Sequence, residues 1–388
     1  MITAEELVFS RRTFLRTLSL GAGGTLVGAG ALAQPLHWLA GGPVADRKLG
    51  VALVGLGKYS TGQLAPALQQ TKLCQLAGIV TGSPAKAAQW KRQYNISDKN
   101  VYDYKTFDRI IDNPAIDIVY VVLPNALHAE YVVRAAQAGK HVICEKPMAT
   151  TAADAARMIA AMQKAGKKLS IGYRLHFEPH HREMMRLGQQ EIFGPVRRLV
   201  ADNGFRFNND TPWRVSKALG GGGPLLDMGI YCLQGCLYTK GQVPVSVTAQ
   251  FAPKTDPVLF KEVEAGISWQ LQFADGSVAD CRTSYAENMA SRLRAEGTKG
   301  WAELAPAFGY GGLQGRTSQG AMNIQNVNQQ AAQMDDFADC VLNSKPTRVP
   351  GEMGLRDVQL LEAIYRAAET GQKVSTKAVA AVLDKVRR

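Results

Sequence analysis

The 388 residues carry 45 Lys and Arg against 33 Asp and Glu, a formal charge of +12, with 46% hydrophobic and 20% charged residues. That balance excludes a chain too polar to bury a core, and at roughly 150 residues per domain the length predicts two or three domains. Gly 38 and Pro 17 are near ordinary usage and no internal repeat is visible, which excludes collagen-like and solenoid architectures.

In chain order, the first feature is Ser10-Arg11-Arg12-Thr13-Phe14-Leu15-Arg16, then an apolar stretch ending at Ala31-Leu32-Ala33. Paired arginines, an apolar run and a small-x-small site predict a twin-arginine export signal over 1–33, with periplasmic delivery, followed by an arm over 34–48. A membrane anchor is the alternative, but 18–33 is 16 residues with five glycines, shorter than the roughly 20 needed to span. No membrane attachment is expected after cleavage. Lys and Arg are spread along the rest of the chain, without a basic helix, zinc-finger spacing or RNA-binding aromatics, which argues against nucleic acid.

Residues 49–54 form an apolar run of strand length, followed by Gly55-Leu56-Gly57-Lys58-Tyr59-Ser60 and a helical pattern through Leu64, Ala67 and Leu68. In such a strand, turn and helix the first glycine permits the tight turn and the second lets backbone approach a pyrophosphate at the helix N-terminus. Ser60, small, stands where a third glycine is usual. The next apolar run, 73–80, ends in Thr81-Gly82-Ser83-Pro84-Ala85-Lys86, with no Asp or Glu to hold the adenosine ribose. Hydroxyls and a lysine there suit a 2′-phosphate, hence NADP over NAD, while Ser83-Pro84 also reads as a helix cap. Runs at 117–123 and 141–144 continue a parallel doubly wound sheet, an α/β fold. Leu123, Pro124 and Asn125, and Glu145, Lys146 and Pro147, then fall at carboxyl ends of strands, where they line the nicotinamide end of the cleft. His128 reads equally as a cleft residue or as a packed helix histidine.

Five strand-like runs follow, at 196–207, 243–251, 267–273, 277–284 and 292–297, with Asp275-Gly276 as a hairpin turn between two of them. Helical periodicity returns at 327–342 and 355–368, the latter expected to pack back on the first domain. Cys74, Cys144, Cys232, Cys236, Cys281 and Cys340 sit mostly in apolar runs and read as buried thiols. Cys232 and Cys236 share a helix face, but two further metal ligands are not found nearby. His176-Phe177-Glu178-Pro179-His180-His181 crowds imidazole and carboxylate together, and reads as a loop entering a helix at the cleft, without a metal.

The stretches 54–59, 123–130, 138–150 around Glu145-Lys146-Pro147, 171–174 and 220–231 around Asp227-Met228-Gly229-Ile230-Tyr231 together resemble the Gfo/Idh/MocA oxidoreductase family. Within it, the chain is most similar to the exported glucose-fructose and aldose-aldose oxidoreductase branch. The resemblance implies an N-terminal Rossmann domain, here 49–170, and a C-terminal α/β domain, here 171–388, whose open, mostly antiparallel sheet mediates assembly into a homodimer or homotetramer. It also implies a sugar substrate, and Lys146, Asp227 and Tyr231 as the catalytic set. Tyr231 is a histidine in most of the wider family.

Oxidising an aldose at C1 removes a hydroxyl proton as hydride leaves for the nicotinamide. Tyr231 is the proton acceptor, and an ammonium within about 4 to 6 Å favours its phenolate. Asp227, four residues earlier, holds sugar hydroxyls or orients Lys146. Taken singly, a Lys before Pro also fits a solvated strand end, and Tyr231 a core aromatic. Arg174, Trp213 and Arg214 are cofactor or substrate contacts by the same resemblance. The expected cofactor set is therefore Gly55, Gly57, Lys58, Tyr59, Thr81, Gly82, Ser83, Lys86, Leu123, Pro124, Asn125, His128, Glu145, Lys146, Arg174, Trp213 and Arg214. The branch ties its cofactor down with a proline-rich arm. Here the arm is short, with Pro35 and Pro43 only. Two alternatives stay open: a dehydrogenase with dissociable coenzyme, and a catalytically idle sugar sensor.

Overall fold

The computed structural model describes residues 47–379, so the export signal over 1–33, the arm up to residue 46 and residues 380–388 lie outside the described residues. The first sheet has six parallel strands: β1 (Leu49–Val54), β2 (Cys74–Val80), β3 (Val101–Tyr102), β4 (Ile118–Val121), β5 (His141–Cys144) and β6 (Leu169–Ile171). Their order, β3-β2-β1-β4-β5-β6, reverses direction between β1 and β4. That reversal opens a crevice beyond the carboxyl ends of these two strands. All six residues of β1 are buried, as expected of a strand covered on both faces.

Three helices follow β1, β2 and β4. The first, α1 (60–68), starts as a π-turn over Ser60–Leu64 and continues as Ala65–Leu68. α2 (Pro84–Tyr94) has Pro84 at its first position and the Ser83 side chain accepting from the Lys86 amide, so the helix-cap reading of Ser83-Pro84 holds. α3 is His128–Gln137, and after β5 comes α4 (Ala152–Lys164), capped by Thr151.

After α5 (Pro179–Gln189) the chain builds a second, nine-stranded sheet from β7 (Val196–Gly204), β8 (Ser246–Phe251), β9 (Gly266–Gln272), β10 (Val278–Ser284), β11 (Arg292–Gly297), β12 (Gly300–Leu304), β13 (Gly315–Thr317), β14 (Gly320–Met322) and β15 (Val374–Ser375). Its order is β14-β13-β12-β11-β7-β10-β9-β8-β15, and every neighbouring pair is antiparallel except β7 with β10. One face is covered by α6 (Ile230–Lys240), buried along its whole length, which suits a helix that is apolar nearly all round.

The last long helices are α7 (Gln329–Leu342) and α8 (Gly351–Thr370). The expectation placed only the later one on the first sheet. In the structure both do so: α7 buries Met334 and Phe337 against the β1 side, and Asp335 accepts from the amides of Lys72 and Leu73. α8 meets α4, where Glu362 accepts from the Ala152 amide, and also packs on β8 of the second sheet. No helix among the described residues is long and apolar enough to cross a membrane.

Candidate active site

The crevice is built on the turn after β1. Gly55 has φ +96°, and a Cβ there would lie 2.3 Å from the Val122 carbonyl oxygen, so the turn demands glycine. A Cβ on Gly57, by contrast, would meet nothing within 4 Å. That open space above a helix start is the room a pyrophosphate needs. Ser60, fully buried, donates from Oγ to the Gly55 carbonyl at 2.6 Å and so closes the turn from within. At the end of β2, Thr81 is buried and accepts from the Ser83 amide, and Lys86 reaches back to the Leu56 carbonyl at 3.2 Å. Lys86 thereby brings a cation to the glycine turn, and the exposed Gly82 leaves this rim without a side chain.

Lys146, in the loop after β5, crosses to the second half of the chain. Its Nζ donates to the Asp227 carbonyl at 2.6 Å and lies 3.2 Å from Asp227 Oδ1. Asp227 sits in a π-turn, Leu225–Gly229, that leads directly into α6 and Tyr231. Lys146 Nζ then lies 4.5 Å from the centre of the Tyr231 ring. Burial would lower the Lys146 pKa, but the facing Tyr231 and Asp227 outweigh it and raise it, so the group is an ammonium. Burial would push Asp227 up, yet Lys146 and Arg214 hold it well below the usual carboxylate range. Its Oδ2 accepts from Arg214 Nε at 3.0 Å and from the Tyr285 hydroxyl at 2.7 Å. Both oxygens are engaged, Oδ1 by Lys146 and Oδ2 by Arg214 and Tyr285, so Asp227 orients Lys146, while Oδ1 keeps a lone pair that a sugar hydroxyl can use.

The expected cofactor residues divide. Tyr59 stands half-buried against Tyr310, ring centres 5.7 Å apart. Glu145 is buried, accepts from Tyr120 at 2.7 Å and from the Lys146 amide at 3.2 Å, and is pushed up by burial. Gly172 is what admits it, since a Cβ there would lie 2.6 Å from Glu145 Oε1. Leu123 and Pro124 lie at the end of β4, as expected. Asn125 turns its amide to the Gly220 carbonyl at 2.9 Å.

Other residues of the expected set meet protein groups. His128 is buried, with Nε2 2.9 Å from the Leu123 carbonyl and Nδ1 2.9 Å from the Pro147 carbonyl. Both ring nitrogens lie against backbone carbonyls inside the protein, which supports the packed-histidine side of the even reading. Arg174 is buried and donates to the Phe308 and Gly309 carbonyls and to Gln329, while its Nε has no partner. Its guanidinium lies 4.9 Å from the Tyr231 ring centre and 4.5 Å from that of Tyr310. Lys58 is exposed and paired with Asp210 at 2.6 Å. Trp213 stacks on the guanidinium of Arg214, which serves Asp227.

In the histidine-rich segment, Glu178 caps α5 through the His181 amide and meets His180 Nδ1 at 2.8 Å, while His181 Nε2 meets the Ala307 carbonyl at 2.8 Å. The His181 ring also packs on Phe308, which stacks on Tyr231. Tyr285, Tyr310, Phe308, Gln329 and Tyr120 were not singled out in the sequence. Each lies on a distant strand, loop or helix without a motif of its own.

A model of the Gfo/Idh/MocA oxidoreductase family, NAD-binding Rossmann fold, matches residues 49–173, and one of the Gfo/Idh/MocA C-terminal domain matches 181–303. Among solved structures, an aldose-aldose oxidoreductase from Caulobacter crescentus is 45% identical, with a TM-score of 0.82 over 85% of this chain and 100% of that one. The NADP(+) D-xylose 1-dehydrogenase of Haloarcula marismortui is 29% identical over 85% of this chain and 93% of its own. D-glucoside 3-dehydrogenase of Escherichia coli is 30% identical over 66% of this chain and 79% of its own.

Proposed function

The chain belongs to the Gfo/Idh/MocA oxidoreductase family, and from that premise we propose that it is an exported sugar oxidoreductase that retains NADP and shuttles hydride between two sugars. The observation that carries this reading is the Lys146–Asp227–Tyr231 cluster at the crevice of a chain 45% identical to an aldose-aldose oxidoreductase. The choice of NADP is supported by Thr81, Ser83 and Lys86 standing where an acidic residue would repel a 2′-phosphate, and by the NADP(+) xylose dehydrogenase among the relatives. Residues 49–170 are read as the cofactor domain. Residues 171–388 are read as the substrate domain, with subunit contact on the solvent face of the second sheet.

Bound NADP supplies the hydride acceptor. Gly55, Gly57, Thr81, Ser83 and Lys86 hold it at the glycine turn. Tyr231 takes the hydroxyl proton of the first sugar, which leaves as lactone. Lys146, fixed by the two Asp227 contacts, sets its ammonium against the Tyr231 ring, and Tyr231 then returns the proton to a second sugar, which would take back the hydride held by the cofactor and leave as alditol. The twin-arginine leader supports periplasmic export. No pool of free coenzyme exists there, so recycling on the protein is required.

The test is to purify the mature chain without added coenzyme, add glucose alone and record the near-ultraviolet NADPH band. A stoichiometric rise that collapses on adding a second sugar is the expected outcome. No rise until NADP is supplied would overturn the retained-cofactor reading in favour of a dehydrogenase with dissociable coenzyme.

A further inference from the structure

Residues 205–221, between β7 and the π-turn of Asp227, cross the mouth of the crevice and touch both halves of the chain. At its start the segment is rooted in the second half: the Phe205 and Phe207 amides donate to the Ser284 and Tyr285 carbonyls at 3.1 and 2.8 Å, and the Phe207 ring stacks on Tyr285 at 5.1 Å. Asp210 then meets Lys58 on the glycine turn after β1, with Nζ–Oδ2 2.6 Å. Four residues on, Arg214 turns back to Asp227 Oδ2 at 3.0 Å. At the far end the Gly220 carbonyl accepts from Asn125, just beyond β4, at 2.9 Å. Lys58 and Asn125 therefore flank the β1–β4 switch point, where a dinucleotide binds in such sheets.

We propose that residues 205–221 form a strap over the cofactor crevice, in which Asp210 retains the cofactor by gripping Lys58 and Arg214 is a positioning residue for the catalytic Asp227. The proposal rests on the reading of a retained NADP, and supplies a retention device within the chain itself where the N-terminal arm is short. The local geometry makes Asp210 a prepared anion: Thr211 donates to its Oδ1 at 2.7 Å and Lys58 to its Oδ2. Lys58 and Asp210 have 70% and 47% of their side chains exposed, so the grip is screened by salt and modest in size. A pair of that kind slows release without sealing the site. Since Asp210 and Arg214 share one short segment, loosening the first pin also loosens the contact on Asp227.

The test uses the full mature protein loaded with NADPH, and follows release by loss of bound-cofactor fluorescence on dilution into excess NADP. Asp210→Asn is expected to speed release about two- to fivefold at low salt, and the gap to wild type should close as salt is raised. Lys58→Met gives the same acceleration, and the double variant adds nothing further. Additive effects would mean that Lys58 acts on the cofactor alone and would overturn the strap. Equal release from wild type and Asp210→Asn, whatever the rate, would overturn it too. Immediate release from wild type with the variant ratio intact would instead sink the retained-NADP reading and leave the strap standing.

Discussion

Lys146 is held by two different atoms of a residue 81 positions away, the carbonyl and Oδ1 of Asp227, and this double contact aims its ammonium at the Tyr231 ring. Lys146→Ala and Tyr231→Phe should each lower turnover about 10²- to 10⁴-fold, the range of one general acid–base group. Bound NADP, measured by absorbance after desalting, should remain. Loss of the cofactor together with activity would assign these side chains to binding. All three members of this cluster were legible in the sequence through the family resemblance that their short motifs carry. The contacts of Asp227 were not, since they bring Lys146, Arg214 and Tyr285 to one carboxylate from three separate parts of the chain. His128 and Arg174 show the same limit. Their residue types suit a ligand, but in the fold the His128 ring lies against the Leu123 and Pro147 carbonyls, and the Arg174 terminal nitrogens donate to those of Phe308 and Gly309.

At the scale of elements, strand-like runs located most strands: the apolar 49–54 and 141–144 and the alternating 292–297 match β1, β5 and β11 end to end. The strands that went unread, β3, β6 and β12 to β15, are two to five residues long, and their existence depends on a neighbour to pair with. The Asp275-Gly276 turn was read correctly, with Gly276 at φ +82° between β9 and β10. What the turn signal did not reveal is that Asp275 also anchors α6, accepting from Lys240 at 2.7 Å. Burial opposes ionisation of Asp275, but bonds from Lys240 and Ser277 prevail and bring its pKa from 3.8 to about 2. A carboxyl lowered on folding stabilises above its unfolded pKa and loses that contribution as pH falls through the folded one. Asp275→Asn should therefore cost about 1 kcal/mol or less at neutral pH, since the group is partly exposed. Its denaturant midpoint should converge on that of wild type between pH 4 and 2. A gap that persists at pH 2 would mean that packing, not charge, links the turn to α6.

Over the whole molecule, the two sheets share helices, so the junction is buried and takes histidines with it. His128, His141, His176 and His181 all have pKa values lowered by burial, the last three from 6.5 to about 4. The unfolded chain binds these protons near 6.5 and the folded chain not until about 4, so the unfolded state holds more protons in between, and stability falls as pH drops through that window. The melting temperature should fall steadily from pH 6.5 towards 4, and His176→Phe should flatten the decline, because His176 Nδ1 is buried without a partner. An unchanged slope in that variant would exclude His176 from the effect. By itself the sequence determined the α/β class, the strand, turn and helix of the dinucleotide site and the motifs whose family resemblance singled out Lys146, Asp227 and Tyr231. These follow from local period, turn chemistry and short motifs, which act over a few residues. Only the tertiary structure decided that α7 returns to the first sheet, that Asp227 serves Lys146, and that residues 205–221 cross the crevice. Each depends on groups brought together from distant parts of the chain, where burial and hydrogen-bond saturation determine which partner a polar side chain takes.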